Sequence, residues 1–256
     1  MAICKLRILL KLLPMRSNAL FYSRFRKETR TSLFEQVNVY HRGFGTSLAI
    51  VLAAILLALS AAACNSSNDG KYDEPFDAQG TWGVGNSDDV IGLVSNGIYD
   101  MTVKDNYGLY LATAGESFSD GIYEVEATQL SGPVNNGYGM LIRVDYDTDS
   151  YYVFEVSGDG FVWIGYCTAL CDEVSDSLVG GGWFRSTAVR SGLQETNRLK
   201  VVADGSRLTF FVNGVQVGRT SDSRLTVGDI AVMVETLGRG DVQVGFDNFA
   251  VTPPEG

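Results

Sequence analysis

Histidine is almost absent from this chain. Of 256 residues only His41 is one, and none follows it. Ser-His-Asp and Cys-His nucleophiles, and catalytic metals held by histidine, are therefore excluded from everything downstream of residue 41. Lysine is equally scarce after residue 64, where only Lys71, Lys104 and Lys200 occur. Residues 64–256 carry a net charge of −17, against −10 for the whole chain. Phosphate backbones are bound by clustered cations, so nucleic acid is excluded as a partner. Only four cysteines are present, and no second pair accompanies Cys167 and Cys171. That leaves zinc with too few ligands. No amphipathic helix of useful length can be traced after residue 64.

What is present divides the chain. Residues 1–63 hold nine Lys or Arg against Glu28 and Glu35, a net of +7. Residues 1–46 form a basic leader longer than a signal normally needs, which leaves open a start nearer Met15 or beyond. Residues 47–63 (SLAIVLAAILLALSAAA) are uncharged and mostly apolar, at the short edge of a membrane span. Arg42 precedes them, and Ala61-Ala62-Ala63 ends them before Cys64. A basic flank, an apolar core and a small-residue exit make an export signal. The cysteine directly after the small residues resembles a bacterial lipobox, with Ala61 where Leu or Val is usual. The resemblance implies lipidation of Cys64 and anchoring at the outer face of a bacterial membrane. An uncleaved anchor and an ordinary cleaved signal are the alternatives. Residues 64–75 read as a polar tether.

Beyond the tether the pattern has period two. Tyr99, Met101 and Val103 alternate with polar residues, as do Tyr123, Val125 and Ala127. Across residues 139–146, Met140, Ile142 and Val144 share one face, and Leu141, Arg143 and Asp145 the other. Asp204-Gly205 and Asn213-Gly214 mark hairpin turns. About a dozen short strands separated by turn residues predict an all-β, two-sheet antiparallel sandwich over residues 76–252. With export, Cys167 and Cys171 lie where disulfides persist and are predicted to pair.

An ordered series of motifs carries a resemblance. It runs from Gly121-x-Tyr123-x-Val125-x-Ala127 through Tyr138-Gly139 and Tyr151-Tyr152-x-Phe154-x-Val156-Ser157-x-Asp159-Gly160. It continues through Trp183, Asn197-Arg198-Leu199 and Phe211-Val212-Asn213-Gly214 to Val244-x-Phe246-Asp247-Asn248-Phe249-x-Val251. Together these resemble the concanavalin A-like lectin/glucanase superfamily, in particular its laminin G-like and 3-keto-disaccharide hydrolase-like bacterial jelly rolls. The resemblance implies a jelly-roll fold and a sugar face built from aromatic rings beside polar side chains. The candidates are Arg143, Tyr151, Glu155, Trp163 and Trp183, with Tyr166 and Phe184 near them. Arg143 and Glu155 sit mid-strand and are expected to pair across neighbouring strands on an open face. The alternative is that the Trp rings pack inside and the Arg–Glu pair is structural.

The resemblance also implies a structural Ca²⁺, for which Asp77 and Asp247 are the candidate ligands. Glucanases of the superfamily carry Glu-x-Asp-x-x-Glu on one strand. The nearest stretch here, Glu124-Val125-Glu126-Ala127-Thr128-Gln129, lacks the central Asp and ends in a residue that neither donates nor accepts a catalytic proton. No catalytic set is assigned. The leading expectation is a non-catalytic, surface-tethered module that binds glycans. A glycoside hydrolase of the keto-disaccharide type and a structural envelope lipoprotein are the alternatives.

Overall fold

The computed structural model describes residues 70–254, and all their regular structure is strand. The leader, the apolar run and Cys64 lie outside the described residues. Sixteen strands follow in order: β1 (Tyr72–Glu74), β2 (Gly85–Asn86), β3 (Val90–Ser95), β4 (Ile98–Val103), β5 (Tyr107–Phe118) and β6 (Gly121–Ser131). Next come β7 (Gly137–Asp145), β8 (Ser150–Ser157), β9 (Phe161–Thr168), β10 (Val174–Ser177) and β11 (Phe184–Arg185). The last are β12 (Thr196–Asp204), β13 (Arg207–Val212), β14 (Val215–Ser221), β15 (Gly228–Leu237) and β16 (Val242–Thr252).

The strands form two antiparallel sheets, as the alternation predicts. The nine-stranded sheet runs β14-β13-β12-β6-β16-β4-β3-β2, with β1 also on β16. The seven-stranded sheet runs β10-β9-β8-β7-β15-β5, with β11 also on β9. The turns are those the dipeptides specify. Asn213 and Gly214 both have positive φ, at 51° and 81°, and connect Val212 to its partner Val215. That is the requirement of a two-residue hairpin whose twist matches its strands. Gly205, with φ of 57°, opens the corresponding turn between β12 and β13.

The main core lies between the sheets. β6 supplies Tyr123, Val125 and Ala127 from alternate positions, and β16 supplies Val244 and Phe246. β7, β8 and β15 contribute Tyr138, Met140, Tyr152, Phe154, Val232 and Val234. In β8 every residue is buried, so that strand is covered on both faces. A second apolar cluster accounts for the other face. It contains Leu109, Leu111, Leu141, Val144, Tyr151, Val153, Trp163, Ala231 and Met233.

The alternation read across residues 139–146 holds only to Ile142. The β7–β8 register shifts between Ile142 and Asp145, and Arg143 has a φ of 54°. The extra residue reverses the facing of the rest of the strand, as a bulge does. Val144 therefore joins Leu141 in the second cluster instead of Met140 in the first.

Candidate functional site

The second cluster marks the outer face of the seven-stranded sheet, and strand register gives its layout. Directly paired residues share a face. One row runs Leu109–Glu235–Gly137–Ser157, across β5, β15, β7 and β8. The next runs Leu111–Met233–Gly139–Glu155–Trp163 and adds β9. A third runs Thr113–Ala231–Leu141–Val153–Gly165. Beyond the first row, at the end of β5 and β15, stand Tyr107 and Leu237, which pair with each other.

Glycines clear the middle of this face. A Cβ on Gly137 would collide with Glu155 Oε2 and lie 3.3 Å from Trp183 Cη2. The Glu155 carboxyl group and the edge of the Trp183 ring thus meet over one glycine, and Glu235 is that glycine's cross-strand partner. A Cβ on Gly165 would collide with the six-membered ring of Trp163. That indole therefore lies along the sheet instead of standing up from it. Trp183 comes from the loop between β10 and β11 and packs on the cluster from above, together with Cys171.

Four of the five candidate sugar residues are thus brought to one face: Tyr151, Glu155, Trp163 and Trp183. Arg143 is not. Instead of pairing with Glu155, it is 0% exposed and bonded elsewhere. Its Nη1 donates to the Leu225 carbonyl at 2.9 Å, and its Nε and Nη2 donate to the Ser119 carbonyl at 3.3 Å. Nη2 also pairs with Asp120 Oδ1 at 3.1 Å. The bulge is the physical reason, since Glu155 stands opposite Gly139 and the chain turns at Arg143 before it can face β8. The expectation of an open aromatic platform is also corrected. Tyr151 is 1% exposed, Glu155 3% and Trp163 8%, so these three are floor and wall. Stacking needs an accessible ring, and Trp183 is only half-buried.

Tyr166 and Phe184 pack toward the main core. The Tyr166 ring is capped by the Arg224 guanidinium at 3.9 Å. Arg224 also pairs with Asp222 and Asp176, each at 2.6 Å, and the Tyr152 hydroxyl donates to Asp222 at 2.7 Å. Burial acts to raise the Asp222 carboxyl, but hydrogen bonds from Arg224 and Tyr152 prevail and hold it at about 2.

Sequence reasoning missed Glu235 and Tyr107. Glu235 offered the same signal as Glu155, an acid inside an otherwise apolar strand, and is likewise buried. Tyr107 is 59% exposed beside Leu237 at 38%, and nothing in its local sequence separates it from an ordinary loop tyrosine.

Cys167 and Cys171 form the predicted disulfide. Ala169, Leu170 and Cys171 all have positive φ inside the closed loop, and Leu170 is pressed against the outer-face cluster. A disulfide of this kind belongs to an oxidising compartment outside the cytosol.

Asp77 and Asp247 are the residues named for calcium. Burial raises the Asp247 carboxyl, and the charges of Glu126 and Asp77 raise it further. Asn248 N donates to Asp247 at 2.7 Å, and Asn248 Nδ2 donates to Glu126 at 3.3 Å. Among the described residues no group of three or more His, Cys, Asp or Glu side chains is gathered as a metal shell.

No protein-family model and no curated protein matches the sequence. Solved structures match the fold. A Crh5 transglycosylase in complex with NAG aligns with a TM-score of 0.55 at 12% identity, over 73% of this chain and 85% of that one. A prokaryotic β-1,3-1,4-glucanase (lichenase) derived from a mouse hindgut metagenome gives 0.53 at 15% identity, over 72% and 99%. The laminarinase catalytic domain from Thermotoga maritima MSB8 gives 0.51 at 14%, over 72% and 98%. At these identities the likeness establishes architecture, which is the concanavalin A-like jelly roll, and leaves function to the site.

Proposed function

We propose that this concanavalin A-like jelly roll is an extracytoplasmic glycan-binding module, held at a bacterial membrane through Cys64. The binding site is the outer face of the seven-stranded sheet. The observation that carries the reading is the meeting of Trp183 and Glu155 over Gly137, in line with Glu235 and the exposed Tyr107. A ring for stacking stands at each end, with the carboxyl groups of Glu155 and Glu235 in the floor between. Tyr107 and Gly137 lie two strand spacings and one two-residue step apart, on the order of 12 Å. That separation suits an oligosaccharide better than a single sugar. The solved structures of the same fold include a transglycosylase, a lichenase and a laminarinase, which is in keeping with a glycan ligand.

The full chain, screened on a glycan array, is expected to retain a saccharide. Trp183→Ala and Tyr107→Ala should each weaken that binding about fivefold or more, since base-sized aromatic stacking is worth about 1–3 kcal/mol per ring. Undiminished binding by both variants would remove the outer face from consideration.

A second reading rests on the same pair of acids. Glycoside hydrolysis uses two carboxyl groups flanking the scissile bond, and Glu155 and Glu235 flank Gly137. Release of reducing ends from a bound oligosaccharide, lost in Glu155→Gln or Glu235→Gln, would assign hydrolysis instead of binding alone.

A further inference from the structure

The outer face of the nine-stranded sheet is divided by charge. On β1, β4, β6 and β16 it presents Asp73, Asp100, Glu124, Glu126 and Asp247, and these four strands contain no Lys or Arg. On β12, β13 and β14 it presents Arg198, Lys200, Arg207 and Arg219, against Asp204 alone. Those four are a large share of the eleven Lys and Arg in residues 64–256. The divide falls between β6 and β12, which are neighbours in the sheet.

A basic strip on so acidic a domain calls for an acidic partner, and every copy carries one beside it. Strand register shows the fit. Across the divide Arg198 pairs with Glu126, Lys200 with Glu124 and Val202 with Ile122. One strand further out, Phe211 stands beside Lys200 and Ala250 beside Glu124. A two-fold axis along the strands, set between β6 and β12, exchanges the two sides. It lays Arg198 of a second copy on Glu126, Lys200 on Glu124, Val202 on Ile122 and the Phe211 ring on the small Ala250. The pairing within one chain offers little resistance. Arg198 meets Glu124 at 3.0 Å with 58% of its side chain exposed, and such surface pairs contribute little.

Six strands about 4.8 Å apart and about seven residues long give a face of roughly 700 Å² per copy, close to the ~800 Å² per partner of a standard interface. The same axis leaves both upstream segments at one end of the pair, because Tyr72 pairs with Val251 at the end of β16 in each copy. Two copies tethered to one membrane need that arrangement. Both seven-stranded sheets stay outward, so the pairing is independent of the glycan reading.

We infer that the protein forms a two-fold dimer through the outer face of its nine-stranded sheet, the basic strip of each copy lying on the acidic strip of the other. Sedimentation equilibrium of the full chain in a density-matched nonionic detergent should show that dimer. Raising salt from about 0.1 M to about 1 M should weaken it, since the screening length falls from about 10 Å to about 3 Å. Arg198→Glu/Lys200→Glu and Glu124→Lys/Glu126→Lys should each weaken self-association about tenfold or more, because like charges then face each other. Mixing the two variants, differently tagged, should restore association and co-purification. Circular dichroism establishes that both fold. Should either fail to fold, the fourfold exchange keeps opposite charges paired within the chain. It should associate with itself and not with the unaltered chain.

A monomer at every salt concentration overturns the inference, as does association indifferent to the reversals or not restored by mixing. So does a monomer whose retention on heparin is lost in Arg198→Glu/Lys200→Glu, which would give the basic strip to an acidic polymer.

Discussion

At the scale of single residues, the firmest electrostatic prediction concerns Asp222. Its folded carboxyl, at about 2, lies below the ordinary value near 4 of an unfolded chain. The stability it contributes is complete above pH 4 and is lost as pH falls from 4 toward 2. Thermal melts between pH 2 and 5 should show that loss, and Asp222→Asn should flatten the profile. An equally steep acid decline in the variant would assign it to other groups. The Arg224 cap on Tyr166 should loosen in the same window, because its anionic partner is discharged. Legibility at this scale was uneven. Glu155 and Trp163 could be picked out because an acid or an indole inside a strand must have a neighbour that tolerates it. Arg143 offered the same signal and led to the wrong partner. Its backbone turns to positive φ without a glycine to announce it, and alternation alone assigns it to the face it has left.

At the scale of elements, turns and strands could be read because their determinants are local. Asn213-Gly214 specifies its hairpin within four residues, and β6 shows its buried face in its own spelling. The site could not be read in this way. Glu155 and Glu235 belong to strands 80 positions apart, brought together only because β15 inserts between β5 and β7. Trp183 reaches Gly137 from a loop whose glycines give no direction. The disulfide loop sits next to this assembly, and its effect can be measured. Closing a five-residue ring restricts the unfolded chain by about 2 kcal/mol in the chain-entropy model. For a domain of this size that corresponds to roughly 4–8 °C in melting temperature. Cys171→Ser should lower the melting temperature by that amount in the absence of reductant, and reductant should abolish the difference from the unaltered chain. Tryptophan emission should shift as well, because Leu170 and Cys171 pack on the cluster that holds Trp163 and Trp183.

At the scale of the whole molecule, the sandwich was legible as a class, from strand spacing and from the ordered motifs, but its strand order was not. Long-range pairing such as β5 with β15 and β6 with β16 leaves no trace in either partner's local sequence. Address is a separate matter of processing, and it has its own test. Replacing Cys64 by Ser should abolish labelling with a radiolabelled fatty acid and move the protein from the membrane to the soluble exported fraction. Membrane retention without label would identify the apolar run as an uncleaved anchor.

The pairing of β1 with the end of β16 has a mechanical consequence. Gly70 lies near Pro253, and Tyr72 pairs with Val251, so both ends of the described chain leave beside the end of β16, an interior strand of the nine-stranded sheet. A pull transmitted through the upstream segment is taken up first by three residues of β1 on β16. The line of force need not cross the seven-stranded sheet. Under such a pull, β1 should peel like a tear strip while the seven-stranded layer keeps its shape.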